Sequence, residues 1–147
     1  MKNSLTAAQI IEIKENFLKI ESLGDLCNVL NQANELTQMK YTIEVAQLAK
    51  LSNPVLAKKR YKEFTIKKKS GTDRKINAPI RELNLILKSI NNLFNLIYTP
   101  HVNAFGFVTS KSIVDNAKMH TNKKYVYNID LKDFFHSFNR NFNIIIV

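Results

Sequence analysis

The sequence predicts an α+β chain with a helical front, a basic β-hairpin, further helices and a closing strand. Three observations carry that expectation. Apolar residues recur at helical spacing through the first third. From Tyr61 the pattern changes to a two-residue alternation that ends in three lysines and a turn. After Pro79 a stripe at three- and four-residue spacing runs for about four turns of helix.

The elements follow in order. Thr6 with Gln9 has the form of a capping box ahead of Ile10, Ile11, Ile13, Phe17, Leu18 and Ile20. A second helix fits Leu23 to Leu30, weakened by Gly24, and a third fits Ile43 to Leu51 with Thr42 as cap. Asn53-Pro54 pairs a capping residue with proline at a first helical position, so a short helical turn is expected there. Tyr61 to Ile66 reads as a strand, Ser70-Gly71-Thr72-Asp73 as a turn, and Arg74 to Ala78 as the returning strand. Leu83, Ile86, Leu87, Ile90, Leu93, Phe94 and Ile97 mark one buried helical face, which Pro100 ends. A loop with Phe105-Gly106-Phe107 leads to a helix capped by Ser110 or Ser112 and running through Ile113, Ala117 and His120. Lys124 to Leu131, rich in Tyr, Val and Ile, reads as a strand.

Composition narrows the function classes. At 147 residues and 45% apolar, the chain can bury a core, and wholesale disorder is not expected. No apolar run approaches the ~20 residues of a membrane span, and the N-terminus lacks the apolar segment of a secretory signal. The single cysteine, Cys27, cannot form an internal disulfide, which fits a reducing compartment and a cytoplasmic location. Charge is placed unevenly. Residues 1–57 hold five lysines and six acids, whereas residues 58–147 hold 17 basic residues and six acids. A near-neutral front and a strongly basic remainder point to a polyanionic partner for the second part, unless the lysines serve only solubility.

Metal-assisted phosphoryl transfer needs carboxylates fixed at a strand end, because Mg²⁺ takes oxygen ligands. Asn128-Ile129-Asp130-Leu131-Lys132-Asp133-Phe134-Phe135 offers that pattern, although a D-x-x-D pair also serves as a cap or turn. Its neighbours decide the reading. Lys67 to Ile76 resembles the fingers hairpin of reverse transcriptases, and Phe105-Gly106-Phe107 with Ser112-Ile113 resembles their next block. Tyr127 to Phe135 is similar to the block with the first catalytic aspartate, and Asn116-Ala117-Lys118-Met119-His120 matches a signature of retron reverse transcriptases. These pieces stand in family order over about residues 58–139.

The resemblance implies a helical N-terminal extension over residues 1–57, a fingers region over 58–122 and the start of an incomplete polymerase palm over 123–147. It implies RNA-directed DNA synthesis from dNTPs on an RNA template and primer, with two Mg²⁺ ions. Asp130 takes the place of the first metal-binding carboxylate, with the Leu131 carbonyl completing one metal's shell. Phe135 takes the place of the bulky residue beside the sugar's 2′ position, and Asp133 organises the site through hydrogen bonds. Arg74 with one of Lys67, Lys68 and Lys69 corresponds to the clamp on the incoming triphosphate. Lys58, Lys59, Arg60, Lys75, Asn116 and His120 are expected on RNA, including a structured non-coding RNA. For the three hairpin lysines a solvated tip, for His120 a capping or surface role and for Phe135 a core role remain the alternative readings. No His/Cys cluster supports zinc.

The family's second carboxylate pair, an Asp-Asp hairpin, has no counterpart: the five aspartates are Asp25, Asp73, Asp115, Asp130 and Asp133, none adjacent. The chain is therefore expected to be an amino-terminal fragment, from a partial or frameshifted gene, that is inactive alone. Its unpaired strand Tyr125 to Leu131 and the run Ile144 to Val147 are expected to weaken protection there and to favour self-association. A non-catalytic RNA-binding module, a remnant, and a related group II intron or defence reverse transcriptase are the alternatives.

Overall fold

The computed structural model describes residues 5–108 and 110–131. These residues form five α-helices and one two-stranded antiparallel sheet, the α+β content that the sequence predicts. They fall into two compact units, one ending at Thr99 and one beginning at Pro100. Asp133, Phe135 and the run Ile144 to Val147 lie outside the described residues.

In the first unit, α1 (Ala7–Leu18) starts at the Thr6 capping box, with the Thr6 hydroxyl accepting from the Gln9 N–H. The second helix, α2 (Leu23–Leu36), runs six residues past the expected end at Leu30. Its start is fixed by Ser22 and Asp25, whose carboxylate accepts from the Ser22 hydroxyl at 2.7 Å and the Ser22 N–H at 2.9 Å. Gly24, inside that first turn, does not shorten it. The third helix, α3 (Val45–Ser52), begins after Glu44 rather than at Thr42. Asn53-Pro54 opens a turn over 54–59 in which the Ala57 N–H donates to the Asn53 carbonyl at 3.0 Å, one helical turn as expected. The Asn53 side chain accepts from the Val55 N–H at 2.8 Å, but the bond pattern stops after a single turn.

Helix α2 is the hub. It packs against α1, α3 and α4 (Arg81–Ile97), and Ile13, Leu30 and Leu93 from three of these helices are fully buried in one apolar core. Two asparagines of α2 hold the segment that leads to α3. Asn31 both donates to the Ile43 carbonyl at 2.9 Å and accepts from its N–H at 2.7 Å, while Asn34 donates to the Tyr41 carbonyl at 2.9 Å. Asn92 of α4 donates to the Thr37 hydroxyl at 3.0 Å, tying α4 to the end of α2. The Cys27 thiol donates to the Ile43 carbonyl, and burial pushes its pKa up, so it behaves as a small core residue. The apolar stripe of α4 is narrower than expected: Leu83, Ile86 and Leu93 are buried, but Leu87 and Phe94 are exposed.

The hairpin pairs β1 (Tyr61–Lys67) with β2 (Asp73–Pro79), from Tyr61 opposite Pro79 to Lys67 opposite Asp73. The Lys68 N–H donates to the Thr72 carbonyl and the Gly71 N–H to the Lys68 carbonyl. Gly71 sits at φ +82, the left-handed residue that a short loop of this kind requires.

In the second unit, α5 (Ile113–Met119) is capped by Ser112, not Ser110, and ends with His120 at its C-cap. Over residues 124–131 the structure corrects the expected strand: the described residues there are irregular. The one sheet among the described residues holds only β1 and β2, and β-propensity alone does not make a ladder. Tyr125, Tyr127, Ile129 and Leu131 are exposed.

Two outcomes test this account. Leu30→Ala should lower unfolding free energy by about 2–5 kcal/mol, whereas Leu18→Ala, at an exposed position, should change it by less than about 0.5 kcal/mol in denaturant titrations. The Ser22 hydroxyl, then the Glu21 and Ser22 N–H groups, hold the Asp25 pKa below its ordinary value. A depressed folded-state pKa contributes stability that is present above the unfolded value near 4 and lost as pH falls through the folded value. Asp25→Asn should therefore be less stable than the parent at neutral pH, with the gap closing in melts below about pH 4.

Candidate nucleic-acid interface

Residues paired across an antiparallel hairpin share a face, so the register assigns every side chain. One face carries Glu63, Thr65 and Lys67 with Asn77, Lys75 and Asp73. The other carries Lys62, Phe64 and Ile66 with Ala78, Ile76 and Arg74. The Lys75 ammonium meets the Glu63 carboxylate at 2.6 Å. Phe64 and Ile66 of β1 are 49% and 45% exposed, whereas Ile76, Ala78 and Pro79 of β2 are half-buried.

Lys67, Lys68, Lys69 and Arg74 stand at or beside the loop, all exposed, and make no ion pair or side-chain hydrogen bond among the described residues. The Ser70 and Thr72 hydroxyls lie 3.0 Å apart between them. This end of the hairpin is a projecting cluster of solvated cations.

Arg60 has a different place. Its guanidinium donates to the Leu51 and Ser52 carbonyls at 3.0 and 3.4 Å, the end of α3, and its own carbonyl accepts from the Ile80 N–H at 2.9 Å. It closes the base of the hairpin against the helical core through Nη1, and its Nη2 and Nε donors have no partner among the described residues. Lys58 and Lys59 lie in the turn before it, along an open groove of about 1020 Å³ that Lys50, Glu44 and Glu82 also line.

In the second unit, Lys111 organises the Phe105-Gly106-Phe107 loop. Its ammonium donates to the Val102 and Ala104 carbonyls, both at 2.7 Å, and lies 4.5 Å from the Phe105 ring centre. Phe107 is fully exposed at φ +58, a left-handed conformation that is strained for a bulky side chain. Asp115 caps α5 through the Ser112 hydroxyl and N–H, and the hydroxyl bond chiefly holds its carboxyl below the ordinary range. Asn116 and His120 are exposed on α5 and at its C-cap.

Asp130 and Leu131 are exposed at the end of the described residues. No three His, Cys, Asp or Glu side chains gather anywhere among these residues. A two-magnesium centre needs several carboxylates, so the described residues do not by themselves fit that pair of ions. Among the described residues, no helix is long and apolar enough to cross a membrane.

The residues that sequence reasoning missed are Phe64, Ile66 and Ile76. Alternation predicts only strands there, and the register sets them beside Lys62 and Arg74, with Phe64 and Ile66 exposed and Ile76 half-buried. The signal was the set of cations two residues away on the same strands.

The chain is similar to retron reverse transcriptases. It is 30% identical over 131 residues to the retron Ec86 reverse transcriptase of Escherichia coli, covering 86% of the chain and 38% of that relative. It is 40% identical over 79 residues to the retron Ec73 reverse transcriptase of Escherichia coli, covering 52% of the chain and 25% of that relative. The retron Mx162 reverse transcriptase of Myxococcus xanthus is 38% identical over 79 residues, with 52% and 16% covered. The chain thus spans less than two fifths of the length of these curated relatives. No family model and no solved structure matches.

If Arg60 anchors the hairpin, Arg60→Ala should speed amide hydrogen exchange across Tyr61–Lys67 while leaving the α2 amides protected. Equal acceleration in both elements would mean that the joint supports the whole unit.

Proposed function

From this relationship to retron reverse transcriptases, we propose that the chain supplies the N-terminal helices and nucleic-acid-facing fingers of such an enzyme, which makes DNA on an RNA template. The observation that carries the reading is the hairpin loop, where Lys67, Lys68, Lys69 and Arg74 project without partners among the described residues. Arg74 offers a planar fork and the lysines mobile point charges, a combination suited to a triphosphate or a phosphate backbone. Phe64 and Ile76, opposite one another beside Arg74, provide an apolar platform on which an unpaired base can stack. RNA template and primer and incoming dNTPs are the corresponding ligands, with a structured non-coding RNA as a further one.

In this reading Asp130 contributes one carboxylate and Leu131 a carbonyl to a magnesium centre of the whole protein. Mg²⁺ would there stabilise charge on the transferring phosphate. Asp133 and Phe135 belong to the same proposed site, as hydrogen-bonding support and as the side chain beside the sugar. Lys58, Lys59, Asn116 and His120 are exposed and free to meet RNA, and Arg60, half-buried at the hairpin base, can meet it through the Nη2 and Nε donors that the α3 carbonyls leave open. The single carboxylate at Asp130 favours, for the described residues alone, a second reading as an RNA-binding module without catalysis. Primer extension that is abolished by Asp130→Ala would exclude it.

RNA binding by the chain should weaken steeply with salt. Replacing Lys67, Lys68 and Lys69 together by alanine should flatten the log–log slope by roughly two to three units. An unchanged slope would move the contact away from the hairpin.

A further inference from the structure

The register sorts the hairpin's charges by face. The face of Glu63 carries two acids and two bases, Glu63 and Asp73 with Lys67 and Lys75. The opposite face carries Lys62 and Arg74 and no acid. On the first face the Lys75 ammonium lies 2.6 Å from the Glu63 carboxylate, with the two side chains 67% and 57% exposed. Such an exposed pair adds little to stability. Its effect on a polyanion is different in kind. A phosphate that approaches Lys75 approaches the Glu63 carboxylate as well, and the pair presents no net charge to exchange for released counterions.

We propose that Glu63 is a built-in counter-ion that withholds Lys75 from nucleic acid, confining phosphate contacts to the loop and to the face of Lys62 and Arg74. The proposal rests on the reading of the hairpin as a nucleic-acid contact, and it reverses the expectation that Lys75 touches RNA. Glu63 here limits affinity and sets which side of the hairpin the strand follows. It is a specificity-determining residue, and removing its charge should strengthen binding.

The test is the salt dependence of oligouridine binding by the full chain and its variants. Glu63→Gln should tighten binding at low salt and steepen the log–log slope by roughly one unit, through the freed Lys75. Lys75→Ala alone leaves the Glu63 carboxylate unpaired and should weaken binding, whereas in the Glu63→Gln background it should return the slope to the parent value. Arg74→Ala, on the other face, should flatten the slope by roughly one unit. A double variant, Glu63→Gln with Lys75→Ala, whose slope is flatter than the parent's by as much as that of Arg74→Ala would overturn the counter-ion role alone. An unchanged slope in Glu63→Gln would do the same. Absence of oligouridine binding by every variant would overturn the reading beneath it, and the counter-ion role with it.

Discussion

The hairpin depends on a joint at its base, because Phe64 and Ile66 of β1 lie exposed and a two-stranded ribbon is marginal alone in water. Arg60 forms that joint, with its guanidinium on the last carbonyls of α3 and its carbonyl on the Ile80 N–H. Beneath it the α2 hub is held by Asn31, Asn34 and Asn92, each satisfying backbone or hydroxyl groups that the helices leave open. A rigid helical body with a projecting basic ribbon results. The ribbon can present charge because its own packing asks nothing of those side chains.

Charge and conformation cooperate at the loop. Gly71 at φ +82 lets the chain reverse in a few residues, which gathers Lys67, Lys68, Lys69 and Arg74 at one end. In the second unit Lys111 is spent inward, on two carbonyls and the Phe105 ring. The contrast separates cations bonded within the fold, Arg60 and Lys111, from cations left in solvent.

Local chemistry was legible in the sequence wherever it acts within a few residues. The Thr6–Gln9 box, the Ser70-Gly71 turn and the start of the long helix after Pro79 all appear where the residues place them. What depends on distant neighbours was not legible. The length of α2 is set by α1, α3 and α4 packed around it, and Gly24 counts for little in that setting. Alternation in β1 and β2 told which residues share a face but not whether anything covers it. Tyr125 to Leu131 has strand composition without a described partner. Arg60 looked like one more basic residue in a basic run, and only the folded α3 terminus gives it another task. The loop cations were legible as a cluster, while the pairing of Lys75 with Glu63 needed the register.

The central claim is that the hairpin is where this chain meets nucleic acid. Photo-crosslinking the chain to 4-thiouridine RNA, followed by peptide mapping of the adducts, tests it most directly. Adducts concentrated between Lys62 and Ile76, with Phe64 among them, are the predicted result. Adducts confined to α1, α2 and α3, with the hairpin unlabelled, would contradict it.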